Sequence, residues 1–187
     1  ARQHRLGGSI LAQVSGAFGV QVPDLDSPGD LVALVEAVNA LRERGIIAAY
    51  HDRSDGGLWA ALCEMAFAGG RGIDIDLSSL VDGATGAPAA ALFAEELGAL
   101  LAIPAERTTE ALAILDRHGL AAASHVLGAT TKDARVRVFA GAGPSGDDPV
   151  IDEPLSDLAA AWDEVSWRIS ALRDNPECAN EEHAAVA

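Results

Sequence analysis

The sequence predicts a layered domain in which helices pack on a β-sheet, of the α+β or α/β class. Three observations indicate this: short apolar runs suited to strands alternate with segments of helical periodicity, several short strands come late in the chain, and 49% of the 187 residues are hydrophobic. That proportion of apolar residues is enough for one sizeable core. The chain contains no internal repeat and no Walker phosphate-binding loop.

Two helices are predicted in the first quarter of the chain. Arg5–Ser9 opens a short helix that extends to about Phe18, and its Gly-Gly-Ser sequence suits an N-cap better than a phosphate site. The second helix starts with Ser27 as N-cap and Pro28 at the first helical position. Its apolar residues recur at helical spacing, at Leu31, Leu34, Val35, Val38 and Leu41. Gly45 suits the position after its end.

A strand, a polar loop and a helix follow directly. Ile46–Tyr50 is predicted to be a buried strand, His51–Gly57 the loop, and Leu58–Ala68 a helix that ends at Gly69-Gly70. Several further elements are predicted from period and composition: a half-exposed strand at Ile73–Leu77, a loop at Val81–Pro88, a buried central strand at Ala99–Ile103, a helix at Glu106–His118, and strands at His125–Gly128 and Val136–Phe139.

The C-terminal region is predicted to be one helix and a tail. The helix runs from about Leu155 to Arg173 with one apolar stripe, and Asn175-Pro176 breaks it. The polar stretch Glu177–Ala187 is predicted to be a linker or fraying tail. We therefore expect two parts, a domain over residues 1–154 and a final helix with linker over residues 155–187.

The loop after the first strand carries the clearest chemical signal. Asp52, Ser54 and Asp55 place two carboxylates and a hydroxyl at the end of a strand, where α/β sheets bind ligands and where hard cations such as Mg²⁺ find oxygen ligands. Gly56 and Gly57 allow close backbone approach, and the amides of the next helix favour an anion. A magnesium–phosphate site and a plain turn with an N-cap both stay open at this point.

Other candidate sites are weaker. Glu95 and Glu96 are expected to face the same crevice as Asp52, because they lie just upstream of the predicted central strand. Asp74 and Asp76 share one strand face, which favours a solvated surface over metal ligation. The two cysteines show no metal-ligand spacing and imply no disulfide framework.

Charge, apolar runs and cysteine usage narrow the classes of function that the chain can have. With 13 basic and 28 acidic residues the formal net charge is −15, which disfavours nucleic-acid binding. No apolar stretch is long enough to span a bilayer, and the cysteine usage fits a reducing cytoplasm. The chain starts without Met, so we expect it to be a fragment of a longer protein.

Four separated motifs make the chain resemble a known family over nearly its whole length. They are Ala49–Leu58 (AYHDRSDGGL), Glu64–Gly69 (EMAFAG), Leu92–Gly98 (LFAEELG) and Leu172–Cys178 (LRDNPEC). In order and spacing they resemble the large, multidomain phosphoribosylformylglycinamidine synthases of purine biosynthesis, and within them the C-terminal domain of the second synthetase half. The resemblance implies an α+β fold, a layered mixed sheet flanked by helices, like the C-terminal domain of aminoimidazole ribonucleotide synthetase.

The resemblance also implies a function. The family is an ATP-dependent carbon–nitrogen ligase and glutamine amidotransferase that converts formylglycinamide ribonucleotide, ATP and glutamine to formylglycinamidine ribonucleotide. Carried over by motif, Asp52 becomes a Mg²⁺ ligand that also contacts the nucleotide, ATP or ADP, and Ser54 a second nucleotide contact. No catalytic residue is assigned.

Partners and alternatives follow from the same resemblance. The implied partners are the synthetase N-terminal-like domain and the glutaminase domain of the same polypeptide, so we expect the chain to be inactive alone. Two alternatives stay open: a scaffold that holds a nucleotide without chemistry, and a paralogous synthetase domain of the same superfamily. The Leu172–Cys178 motif argues against the paralogue.

Overall fold

The chain divides into two compact units. The computed structural model describes residues 3–81, 88–141, 143–146 and 148–186. Unit 1 comprises Ala1–Met65 and Leu77–Leu127, and unit 2 comprises Ala66–Asp76 and Gly128–Ala187. Each unit contains one sheet with helices beside it, which confirms the predicted α+β class. The predicted domain boundary after residue 154 stays a prediction.

Seven α-helices and six strands are formed by the described residues. In chain order they are α1 (Ile10–Val14), α2 (Pro28–Glu43), β1 (Ala49–Asp52), α3 (Gly57–Gly69), β2 (Gly72–Asp76), α4 (Pro88–Phe93), β3 (Ala99–Ala102), α5 (Thr108–Arg117), β4 (Gly128–Thr131), β5 (Arg135–Phe139), β6 (Ile151–Pro154), α6 (Leu155–Arg173) and α7 (Pro176–Val186). Within this part of the chain, no helix is long and apolar enough to cross a bilayer.

The start of unit 1 follows the sequence closely. Ser9 caps α1 as predicted, because its hydroxyl accepts a hydrogen bond from the backbone N–H of Ala12. The helix is only five residues long, shorter than predicted. Helix α2 begins at Pro28, after Ser27 at the N-cap position, as predicted. Most of the predicted loop before α4, residues 82–87, lies outside the described residues.

The end of α2 explains why the next strand starts later than predicted. Gly45 has a φ of +62° and donates to the carbonyl of Arg42, while the N–H of Ile46 donates to the carbonyl of Leu41. This is a Schellman motif, in which the residue after the glycine packs back on the helix. Ile46 is accordingly buried in one cluster with Leu41 and Ile114 of α5. The prediction that Ile46 opens a strand was wrong.

The sheet of unit 1 is a two-stranded ribbon. Strands β1 and β3 are antiparallel, with Asp52 opposite Ala99 and Ala49 opposite Ala102. β1 is mostly exposed and β3 is half-buried, so neither the buried strand nor the buried central strand expected here is found among the described residues. The ribbon nevertheless holds the carboxyl end of β1 beside the residues that precede β3.

The sheet of unit 2 has four strands in the order β4-β2-β5-β6. Strand β2 is parallel to β5 and antiparallel to β4, and β6 is antiparallel to β5. Ile73 and Ile75 are buried while Asp74 and Asp76 are half-buried, as period two predicts. The strand predicted at His125–Gly128 was misplaced, because β4 covers Gly128–Thr131, and β6 was not predicted.

A helical hairpin completes unit 2 and corrects the predicted tail. Helix α6 covers Leu155–Arg173 as predicted, and the chain then breaks before Pro176. The following residues form helix α7, so the prediction of a fraying tail was wrong, while their role as a linker stays a prediction. Its start is capped by Asn175, whose Oδ1 accepts from the N–H of Glu177 at 2.9 Å. The Asn-Pro-Glu sequence was the signal for this helix.

Candidate functional site

The β1–α3 loop, residues 53–56, has a backbone that only glycine allows at its end. Gly56 and Gly57 have φ values of +78° and +68°. A Cβ on Gly57 would lie 2.6 Å from the carbonyl oxygen of Leu92. The loop closes with the N–H of Gly57 donating to the carbonyl of Ser54 at 2.9 Å. This turn directs the chain from the end of β1 into α3.

Arg53 ties the loop to the segment before β3. Its backbone N–H donates to the carbonyl of Gly98 at 2.9 Å, which extends the β1–β3 ladder by one bond. Its Nε donates to the carbonyl of Glu96 at 2.7 Å, and Nη2 donates to that of Leu97 at 3.4 Å. Burial lowers the pKa of Arg53, and the nearby Glu96 carboxylate opposes that shift. The guanidinium of the half-buried Arg53 therefore fixes the loop to the residues before β3.

Glu95 holds the far end of the loop. One carboxylate oxygen, Oε1, accepts from the N–H of Gly56 and from the N–H of Ile10, both at 2.9 Å. Ile10 is the first residue of α1, and Gly56 immediately precedes α3. A carboxylate at helix N-termini is stabilised by their unpaired N–H groups and by the helix dipoles. Glu95 thus fixes two helix starts.

Glu96 is buried and paired with Arg5. Nε and Nη2 of Arg5 donate to the two carboxylate oxygens at 2.7 Å each, and the backbone N–H of Arg5 adds a bond of 3.2 Å. These bonds lower the pKa of Glu96. Nη1 of Arg5 also donates to Asp26 at 3.0 Å. The expectation that Glu95 and Glu96 face a crevice with Asp52 was wrong, because Glu96 is buried against Arg5 and Glu95 is bound to two backbone amides, and neither lines the cleft of Asp52.

Asp52 lies on an open cleft of about 300 Å³. The cleft is lined on one side by apolar residues of α2 and on the other by the ribbon and the residues before β3; its lining residues are Leu31, Leu34, Val35, Val38, Asn39, Tyr50, Asp52, Arg53, Leu97 and Gly98. Ser54 and Asp55 are also exposed, but they are not among the described residues that line this cleft. The structure thus puts Asp52 in the cleft and leaves Ser54 beside it in the loop.

His51 supports Asp52 from behind. Its Nε2 lies 2.8 Å from Oε2 of Glu64, and its Nδ1 lies 2.6 Å from the carbonyl oxygen of Asp52. The imidazole therefore joins the end of β1 to α3. Sequence analysis did not predict the contact between His51 and Glu64. The signal for it was that Glu64 lies two helical turns after the loop that follows His51.

The described residues do not form a complete metal site by themselves. The described part of the chain contains no group of three His, Cys, Asp or Glu residues placed to hold a metal ion. Asp74 pairs with Arg137 at 2.9 Å, so the strand carries an ion pair, not the solvated face we expected. Burial, with a smaller contribution from Glu64, raises the pKa of Cys63 to about 12, which fits an inert core thiol. A cation at Asp52 would thus need most of its ligands from elsewhere.

Comparison with known proteins places this geometry in context. Residues 3–141 match the family model described as AIR synthase related protein, C-terminal domain. The structure of phosphoribosylformylglycinamidine synthase II from Thermotoga maritima is similar, with a TM-score of 0.63 and 20% identity over 83% of this chain and 24% of that chain.

Two further structures share the fold. T. maritima PurL complexed with ATP has a TM-score of 0.60 and 20% identity, covering 73% of this chain and 23% of its own. The hydrogenase maturation protein HypE of E. coli has a TM-score of 0.51 and 25% identity over 82% of this chain and 50% of its own. The chain therefore spans about a quarter of the PurL chains and half of HypE.

Proposed function

Because this chain belongs to the family of AIR synthase related proteins, as their C-terminal domain, we propose that it is part of a phosphoribosylformylglycinamidine synthase. The parent enzyme would convert formylglycinamide ribonucleotide, ATP and glutamine to formylglycinamidine ribonucleotide in the cytoplasm. In this proposal the chain is the C-terminal domain of the second synthetase half and contributes one wall of a nucleotide site. T. maritima PurL complexed with ATP is a protein of similar fold, which supports the proposal.

The placement of Asp52 is the observation on which the proposal rests. Its carboxylate is exposed on a cleft, while half-buried side chains hold the residues that follow it. Arg53 anchors one side of the loop to Glu96 and Leu97, and Glu95 anchors the other at Gly56. A single carboxylate held in a fixed position suits a ligand that includes a cation, because the carboxylate can then bind the cation directly.

A magnesium–nucleotide pair is the ligand that fits this arrangement. Mg²⁺ is held in such sites by one or two carboxylates together with phosphate oxygens and water, so Asp52 alone is a sufficient contribution from this side. When bound, the ion would offset the repulsion between the phosphates and a chain of net charge −15. Ser54, next but one in the same loop, would contact the nucleotide through its hydroxyl. The remaining ligands would come from the synthetase N-terminal-like domain of the same polypeptide.

Nucleotide binding by the full-length parent enzyme tests the proposal. Asp52→Asn removes the charge that would hold the ion, and we expect affinity for MgADP in titration calorimetry to fall at least tenfold, about 1.4 kcal/mol. Asp55→Asn is the matched control, because it removes an exposed carboxylate of the same loop that does not line the cleft. Unchanged MgADP affinity in Asp52→Asn, with Asp55→Asn as a reference, would refute the proposed site.

A single-turnover rate separates a catalytic site from a site that only holds nucleotide. If the site only holds it, Asp52→Asn at saturating MgATP leaves the rate of the chemical step within about twofold and lowers the stability of the enzyme, because bound ligand stabilises the folded state. If the site is catalytic, the rate falls by tenfold or more while circular dichroism shows an intact fold. Either result identifies which role the nucleotide site has in the parent enzyme.

The chain alone should not turn over. It supplies one carboxylate of the proposed site, and the glutaminase domain would belong to another part of the parent. We therefore expect no formylglycinamidine ribonucleotide from this chain with ammonia, formylglycinamide ribonucleotide and MgATP, assayed by mass spectrometry. Measurable product above a control without protein would contradict this expectation.

A further inference from the structure

Helix α6 exposes an apolar stripe with heptad spacing. Counted from Leu155, its apolar residues fall alternately three and four positions apart, as the a and d positions of a coiled coil do; they are Leu155, Leu158, Trp162, Val165, Ile169 and Leu172. The last four, which we call the α6 seam, have exposed fractions of 59%, 66%, 54% and 90% in that order. Apolar side chains this exposed in one row mark an interaction surface.

The opposite face of α6 is already occupied. The indole of Trp167 stacks on His183 of α7, with ring centroids 4.3 Å apart, and its Nε1 donates to Oδ1 of Asn180 at 2.9 Å. Asp163 accepts a further contact of 2.8 Å from Nδ1 of His183. Trp167 lies at the f position, across the helix from a and d. The hairpin thus contacts α6 on the face opposite the α6 seam. The seam itself is largely exposed, although the ring of Trp162 also lies 6.0 Å from that of Phe67 between centroids.

The residues that flank the seam decide which kind of helix fits it. At the e and g positions of α6 the charged residues are Arg168 and Arg173, and no acidic residue occupies these positions. Both arginine side chains are largely exposed, at 67% and 70%. Their contacts to Glu164 and Asp174 are local pairs on the same chain, of the kind that adds little at an exposed surface. The e and g positions that flank the seam therefore carry two arginines and no carboxylate, on a protein of net charge −15, and the guanidinium of Arg168 also lies 5.9 Å from the centroid of the Trp167 ring.

A second copy of this chain is a poor occupant. In a parallel pair, the g position of one helix meets the following e position of the other, which would bring Arg168 against Arg173 of the partner. In an antiparallel pair like positions face each other, which again opposes arginine to arginine. The stripe also covers about two and a half heptads, fewer than the three to four that a self-standing coiled coil requires.

We propose that the α6 seam docks an amphipathic helix that is not part of this chain. That helix would carry Leu- or Ile-type residues along one face and carboxylates beside them. This is helix-in-groove recognition, with apolar anchors at helical spacing supplying affinity and charge supplying selection. The exposed row from Trp162 to Leu172 is about 15 Å long at 1.5 Å per residue, so three turns of the incoming helix make the contact.

Two designed peptides test the proposal directly. Both are 21-residue helices, about three heptads, with Leu at a and d, but one carries Glu and the other Lys at e and g. The net charge of −15 attracts the Lys peptide to the protein as a whole, whereas the α6 seam selects the Glu peptide. We expect the Glu peptide to bind at least tenfold more tightly by fluorescence anisotropy. Equal binding, tighter binding of the Lys peptide, or no binding of either peptide would overturn the proposal.

Matched variants of this chain locate the binding. Leu172→Asp should weaken the Glu peptide at least tenfold, whereas Val14→Asp, which changes an apolar residue of unit 1 that is 77% exposed, should leave it within twofold. The double change Arg168→Glu with Arg173→Glu should invert the preference toward the Lys peptide. Peptide binding that is insensitive to Leu172→Asp, or a dimer in sedimentation equilibrium that Leu172→Asp abolishes, would show that the α6 seam is not the proposed site.

Discussion

The β1–α3 loop of unit 1 and the α6–α7 hairpin of unit 2 expose opposite kinds of side chain. At the end of β1, Asp52 is exposed, while the half-buried Arg53 and the buried Glu96 hold the backbone behind it. In the hairpin, the apolar Leu172 is exposed while polar and aromatic contacts of Trp167 hold the helix on its other side. Each region thus has a fixed face and an exposed face. The exposed side chain is charged in the first region and apolar in the second.

The contrast between fixed and exposed faces indicates which residues stabilise the fold. A buried ion pair is expensive to break because removing one partner leaves an unpaired charge in the interior. An exposed carboxylate or an exposed leucine costs the folded state little when it is replaced. We therefore expect substitutions on the fixed faces to reduce stability, and substitutions on the exposed faces to reduce binding alone.

The largest effect is expected at the fixed face of the loop. Glu96→Ala leaves the guanidinium of Arg5 without its main partner in a site where Glu96 is fully buried, so the free energy of unfolding should fall by about 3 kcal/mol. Urea denaturation of this chain measures it. Glu106→Ala, an exposed glutamate, should change stability by less than about 0.5 kcal/mol. Equal losses in both variants would remove the distinction between fixed and exposed faces.

The next effect concerns the glycine that closes the loop. Gly57→Ala combines a left-handed φ of +68° with a Cβ placed 2.6 Å from the carbonyl oxygen of Leu92, so we expect a loss of about 2–3 kcal/mol. Gly45→Ala is the control, because its φ of +62° is similar but a Cβ there meets nothing within 4 Å. That variant should lose only about 1 kcal/mol, and thermal denaturation compares the two.

A smaller effect is expected at the fixed face of the hairpin. Trp167→Ala removes the stack on His183 and the hydrogen bond to Asn180, together about 2 kcal/mol, and should release α7. Amide hydrogen exchange should then become faster over Pro176–Val186. Val165→Ala, at a seam position that is 66% exposed, should leave the protection of α7 unchanged. Faster exchange of α7 in both variants would mean that the two faces of α6 are not independent.

The smallest change in stability is expected at Asp52. Its carboxylate is exposed, so Asp52→Asn in this chain without nucleotide should alter the free energy of unfolding by less than about 0.5 kcal/mol. Urea denaturation next to Glu96→Ala shows the contrast most clearly. A loss above 1 kcal/mol would place Asp52 among the residues that hold the fold and would weaken its assignment to a ligand.

Local signals in the sequence predicted much of this structure. Helix α2 was found from Ser27-Pro28 and its apolar spacing, and helix α6 from its stripe, because caps and periodicity act within one element. The strand β1 was misjudged because Ile46 is apolar for a different reason: it packs back on α2 through the Schellman motif at Gly45. Composition alone does not distinguish a strand residue from a helix-end contact.

The surroundings of the candidate site depended on long-range pairing. Asp52 and Ser54 were identified from a motif, and in the structure both are exposed, Asp52 at the end of β1 on a cleft and Ser54 in the loop that follows. The pairing of Arg5 with Glu96 joins residues that no local pattern connects, so the sequence could not reveal that Glu96 is part of the interior. The role of Glu95 was hidden for the same reason.

The shared oxygen of Glu95 has a consequence for how unit 1 responds to a ligand. The same Oε1 accepts from Ile10 and from Gly56, so a displacement of the Glu95 side chain changes both contacts at once. Immobilising the loop lowers the conformational entropy that α1 has left to lose. A ligand in the cleft would in this way reduce the motion of α1 without contacting it. A change in α1 would in turn alter the binding of that ligand.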